Sequence, residues 1–164
     1  MKFRRFLAFG MALVLPVVAW AAERGPVTNL PMPRFVSMKA NEGNVRRGPS
    51  LTHRIDWVFK HEDMPLQITA EFGHWRRVRD SDGQGGWMHY SLLSGVRTVV
   101  VQEQRVKLRM KPSDAAATRA FADRGVVAWL GDCQVKWCEL RVDGVKGWVE
   151  KTSVWGVAAA EIRE

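Results

Sequence analysis

Beyond residue 33 the chain alternates apolar and polar positions in short bursts bounded by Gly, Pro, Asp and Ser. That period-2 texture belongs to half-buried strands joined by tight turns. It predicts strands over residues 35–40, 44–47, 55–60, 65–72, 75–79 and 86–90, with Gly95–Val101 closing the series. A second series follows over 106–110, 118–122, 126–133, 137–142 and 147–150. Gly73-His74, Asp80–Gly85 and Asp143-Gly144 supply the turns. The fold class read from this pattern is all-β.

The two series are copies of one unit. Trp75-Arg76-Arg77-Val78 returns as Trp137-Cys138-Glu139-Leu140, and each is followed by a Gly-Trp pair, Gly86-Trp87 and Gly147-Trp148, 12 and 11 residues after the first Trp. A Gly comes eight residues after each second Trp, at Gly95 and Gly156. Upstream, Val45–Ser50 matches Leu108–Ser113, and the offset drifts only from 63 to 61 across the unit. Loops tolerate that drift, whereas paired strands do not. The repeat also decides the Ala-rich stretch Ala115–Ala122, helical by propensity alone: it aligns Phe121 with Phe59 and so predicts a strand.

At the other end of the chain, Lys2, Arg4 and Arg5 precede an almost wholly apolar run from Phe6 to Ala19, and Ala19-Trp20-Ala21 offers small residues for cleavage. This is the pattern of a secretory signal peptide cut near Ala21. The run is short for a membrane span and Pro16 interrupts it, so no stable span is expected after cleavage. The domain plan becomes a signal peptide at 1–21, an extended lead-in at 22–33, repeat one at 34–101, repeat two at 102–158 and a tail at 159–164. A periplasmic or secreted location follows from it.

Charge and cysteines then narrow the chemistry. The formal net charge is +8, and losing Lys2, Arg4 and Arg5 leaves 22 basic residues against 17 acidic ones. A residual +5 suits contact with anionic envelope material and falls short of a nucleic-acid binder. Cys133 and Cys138 flank a four-residue segment, Gln134–Trp137, and can face each other across a hairpin mouth. In an oxidising compartment this predicts a disulfide rather than a redox-active pair, because the spacing is not Cys-x-x-Cys.

No catalytic signature is legible. Ser94-Gly95 lacks the nucleophile-elbow context, there is no Gly-rich phosphate loop, and His53, His61, His74 and His89 fit no spacing of metal ligands. The sequence therefore predicts neither cofactor nor metal, and no enzyme.

The Gly-Trp-[Met/Val] block followed by a short turn and Gly, preceded by a strand that opens on Trp, resembles the bacterial SH3-like domain. Asn44–Pro49, Trp75–Gly83 and Gly86–Gly95 are similar to a family of exported alphaproteobacterial SH3-like proteins. The resemblance covers residues 34–158. It implies two tandem SH3-like small β-barrels, an envelope location and a binding role, with a cell-wall stem peptide or another envelope protein as partner. Tyr90 is the single tyrosine, so the chain departs from tyrosine-lined polyproline readers.

Alternation along 75–79 puts Trp75, Arg77 and Arg79 on one face and Val78 on the other. An aromatic ring beside two guanidinium groups suits carboxylate-bearing peptides or sugar rings. Trp75, Arg77, Arg79 and Tyr90 form the candidate ligand set. The equivalent face of repeat two, Trp137, Glu139 and Arg141, has mixed charge, so an anionic ligand is expected to prefer repeat one. Trp87 and Trp148 read as core or rim packing.

Overall fold

The computed structural model describes residues 23–164. The expected signal peptide lies outside these residues. Among the described residues no helix is long and apolar enough to cross a membrane.

Seven strands build a first sheet: β1 (Arg34–Met38), β2 (Gly43–Arg46), β3 (Ile55–Phe59), β4 (Pro65–Phe72), β5 (Trp75–Arg79), β6 (Gly85–His89) and β7 (Leu93–Ser94). Seven more build a second: β8 (Thr98–Val101), β9 (Arg105–Arg109), β10 (Thr118–Asp123), β11 (Val127–Cys133), β12 (Trp137–Val142), β13 (Val145–Glu150) and β14 (Val154–Trp155). Their spatial orders are β3-β2-β6-β5-β4-β1-β7 and β10-β9-β13-β12-β11-β8-β14. Adding seven to each label of the first order gives the second, so the duplication seen in sequence is a duplication of topology. The strand reading of residues 118–122 holds, and the all-β class with two tandem small barrels stands.

Two expectations about the strands need correction. Thr98–Val101 does not close the first unit. It pairs with β11 and β14 and is the counterpart of β1, so the sheets divide between Ser94 and Thr98. Its apolar, β-branched run has no polar alternation to reveal which sheet it joins, and only the pairing decides. The second correction is one of register. Gly43 faces Phe59 across β2–β3, whereas Val106 faces Ala122 across β9–β10. Phe59 therefore corresponds to Ala122, and Phe121 points to solvent. A Gly–Phe pair in one barrel and a Val–Ala pair in the other fill the same core position with large and small partners exchanged.

Each barrel has its own core. The first closes around Met38, Val45, Leu66, Ile68, Val78 and Met88, and the second around Val99, Val101, Leu108, Leu140 and Val149 with both cysteines. The Gly-Trp pairs mark where strands cross at close range. A Cβ at Gly86 would lie 2.6 Å from the Arg46 carbonyl oxygen, and one at Gly147 would lie 2.7 Å from Leu108 Cβ. No larger residue fits without moving backbone.

Both ends are docked. Residues 23–33 fold back as a loop, with Arg24 bridged to Pro31 and Met32 in the first core, in place of an extended lead-in. At the far end, Arg163 exchanges backbone hydrogen bonds with Cys133 at 2.8 and 3.0 Å. Lys151 is buried and donates from Nζ to the carbonyls of Ala159 and Glu161.

Candidate functional site

On β5 the burial alternates strictly: Arg76 and Val78 are buried, Arg77 and Arg79 are exposed, and Trp75 is half-buried. Trp75, Arg77 and Arg79 thus share the outward face. Antiparallel pairing places Phe72 and His89 beside Trp75 in one row across the sheet. The next row runs from Arg77 to Trp87 to Arg46. Directly opposed residues on one face lie about 4.5–5.5 Å apart at Cβ, so each row is a contact row. Trp87 is half-buried between two arginines and is part of this outward face as well as of the barrel rim.

The four predicted residues fall into two groups. Arg77 and Arg79 line a groove of about 290 Å³ with Thr69 and the Gly83–Gly86 turn. Arg79 donates from Nε to Gln67 Oε1 at 2.8 Å. Arg77 is exposed, and its guanidinium has no ion-pair partner among the described residues. Trp75 and Tyr90 lie at the other end, each in contact with His89: the Trp75 and His89 rings meet edge to face at 5.5 Å, and His89 and Tyr90 lie 5.0 Å apart. His74 joins this cluster, 5.6 Å from Tyr90 and 5.9 Å from His89.

Sequence reasoning passed over His74, His89 and Phe72. For Phe72 the signal was present, since the two-residue turn Gly73-His74 makes Phe72 and Trp75 cross-strand partners. For the histidines it was not, because His74 and His89 meet only through the β5–β6 register. Among the described residues no three potential metal ligands converge.

Beneath this face sits a buried ion cluster. Glu71, alternating inward on β4, accepts hydrogen bonds from the Val27 and Thr28 amides at 3.0 and 2.9 Å and from Thr28 Oγ1 at 2.7 Å. Arg34 Nη2 donates to it at 2.6 Å, and Arg76 Nε lies 3.5 Å away. Burial pushes the carboxyl up, but the Thr28, Arg34 and Val27 hydrogen bonds outweigh it and hold the pKa at about 2. Arg76 also donates to the carbonyls of Gly73 and Trp75 and lies 6.0 Å from the Tyr90 ring. The docked loop, Glu71 and Arg76 together fix the turn that carries His74 and Trp75.

In the second barrel Trp137 occupies the place of Trp75, and Glu139 the place of Arg77. Trp137 is buried, with Lys136 and Arg109 over its ring at 5.4 and 6.0 Å. Cys133 and Cys138 are register partners and form a disulfide with a Cα–Cα separation of 4.1 Å.

The family model of the bacterial SH3 domain matches residues 39–95 and again 102–156. The chain belongs to the bacterial SH3 domain family. No curated protein matches the sequence. Two solved structures from Trichomonas vaginalis show weak likeness: NlpC2, at 12% identity and a TM-score of 0.36 over 76% of this chain, and NlpC1, at 11% and 0.36 over 80%. The chain spans 48% of each of them. At that TM-score neither lends its activity to this protein. Both SH3 matches start after the first strand of their barrel, β1 or β8, which the structure adds to each domain.

Proposed function

We propose that this protein is a non-enzymatic binding module of the cell envelope, exported by its N-terminal segment, whose first SH3 domain takes a carboxylate-bearing peptide such as a cell-wall stem peptide. The observation that supports it is the pairing of two rows on one face, Phe72–Trp75–His89 and Arg77–Trp87–Arg46, beside a groove lined by Arg77 and Arg79. The aromatic row offers ring faces for stacking. The uncompensated Arg77 offers a planar pair of donors to a carboxylate. Tyr90 borders the same cluster through His89 and supplies a hydroxyl at its edge.

Co-sedimentation with purified peptidoglycan tests this reading. The protein is expected to pellet with the wall material at low salt and to be released as salt rises. The Trp75→Ala, Arg77→Ala double variant is expected to stay in the supernatant while keeping its melting temperature. Absence of the wild type from the pellet, or an unchanged affinity in the double variant, removes the wall-peptide reading. A second reading, an adaptor that binds another envelope protein, is favoured by exposed apolar side chains on the second barrel, Phe121, Trp129 and Val135. Crosslinking in envelope preparations distinguishes it, since an adaptor yields a protein adduct that survives digestion of the wall.

A further inference from the structure

The second barrel has a cleft of about 230 Å³ between β9 and the end of β13. Arg105, Lys107 and Arg109 line it from alternate positions of β9, about 6.6 Å apart per step. Glu103, Glu150 and Trp137 share the lining, Glu103 from just ahead of β9 and Glu150 from the end of the neighbouring strand β13. Arg105 is engaged by Asp123 at 2.6 Å, and Arg109 donates to the carbonyls of Asp114 and Ala116. Lys107 is exposed and has no partner among the described residues. Of the acidic groups, Glu103 accepts one bond from Ser153 Oγ at 2.9 Å, and Glu150 lies 3.4 Å from Lys136 Nζ. A carboxylate has about four acceptor positions, so both keep capacity.

A cleft whose lining carries both charges beside an indole matches one kind of ligand better than others. A purely anionic molecule meets Glu103 and Glu150, and a purely cationic one meets the three basic residues. A short molecule with both charges can engage both sets of groups. The corresponding place in the first barrel does not have this pattern: the shared topology and register put Asn44 where Lys107 stands and His89 where Glu150 stands, beside Trp75.

We propose that this cleft binds a zwitterionic group, a short peptide with free amino and carboxyl ends, the carboxylate at Lys107 and the ammonium at Glu103 and Glu150. It does not rest on the reading given for the first barrel and differs from it in ligand charge.

The test is a titration of the protein with alanylalanine, followed by NMR at the indole N–H resonances of Trp137 and Trp75. The Trp137 resonance is expected to shift saturably. N-acetylation or C-amidation of the dipeptide is expected to weaken binding about tenfold each, as are Lys107→Ala and Glu150→Gln. Neither variant removes a core side chain, and unchanged melting temperatures verify that both fold. The proposal is overturned by the absence of a saturable shift at Trp137, by equal binding of the blocked dipeptides, by wild-type affinity in both variants, or by shifts confined to Trp75. Wall sedimentation through Trp75 and Arg77 is read separately, so failure of one reading leaves the other measurable.

Discussion

Phe35 of the first barrel meets Trp155 of the second edge to face, with ring centroids 5.1 Å apart. Arg97 lies over the same Phe35 ring at 5.7 Å while its guanidinium grips Glu161 through two hydrogen bonds of 2.8 and 3.1 Å. Thr98 Oγ1 donates to the Asp63 carbonyl at 2.6 Å across the same junction. The two barrels are thus joined by an aromatic pair, a stacked cation and a buried hydrogen bond as well as by three linking residues.

This junction is expected to make the barrels unfold together. Calorimetry of the wild type should show one transition, and Trp155→Ala should split it into two, with the aromatic pair itself contributing about 1 kcal/mol beyond the area it buries. A single transition at an unchanged midpoint in the variant counts against the coupling.

Acid should act through Glu71. Its folded pKa of about 2 lies below the ordinary glutamate value of 4.5, so the unfolded chain takes up the proton first as pH falls. The stabilisation is complete above about pH 5 and is lost as pH drops toward 2, up to about 3 kcal/mol in all. Glu71→Gln should be less stable than wild type at pH 7, because it leaves Arg34 and Arg76 without their counter-charge, and the gap should narrow by pH 2.5. Parallel melting curves of the two proteins across that range would show that Glu71 is not the group responsible.

Removing the disulfide should cost little in comparison with a long-range crosslink. Only four residues separate the cysteines, and closing so short a loop constrains the unfolded chain by about 2 kcal/mol. Cys133→Ala with Cys138→Ala should lower the urea midpoint of the protein and leave wall sedimentation through the first barrel unchanged. A loss of sedimentation at equal folded fraction would place the disulfide in the binding apparatus.

Gly147→Ala should destabilise the protein although it adds a single methyl group. The new Cβ would sit 2.7 Å from Leu108 Cβ, and relieving that contact requires β13 to move off β9 at a cost of about 1–3 kcal/mol. Gly144→Ala is a weaker control for space: nothing lies near its Cβ, and its cost comes from a positive φ of 81° alone. Equal stability of wild type and Gly147→Ala would falsify the close-crossing explanation of the Gly-Trp pairs.

Much of the fold was legible because strand patterning is local. Alternation at Trp75–Arg79 predicted which side chains face outward, and self-comparison found the duplication without any knowledge of pairing. Phe121 shows the limit: aligning it with Phe59 is right for strand identity and wrong by one position for register, since the pairing, with the same bulge in both barrels, sets Val58 opposite Asn44 where Phe121 stands opposite Lys107. The candidate site was legible to the extent that it lies on one strand. His89, Trp87 and Arg46 come from other strands, and no spacing in the chain announces that they stand in rows with Trp75 and Arg77.

The sequence by itself determined that the chain is all-β, that it is a duplicated SH3 unit, that its cysteines are placed to pair, and which face of β5 is turned outward. These follow from period, repetition and short separations, which a linear chain displays directly. Tertiary structure alone decided that Thr98–Val101 begins the second barrel, that the segment before Arg34 folds back onto Glu71, and that Phe35 and Trp155 lock the barrels together. Each depends on contacts between residues far apart in the chain, where the partner is selected by packing and by the need of buried charges and backbone groups for hydrogen bonds.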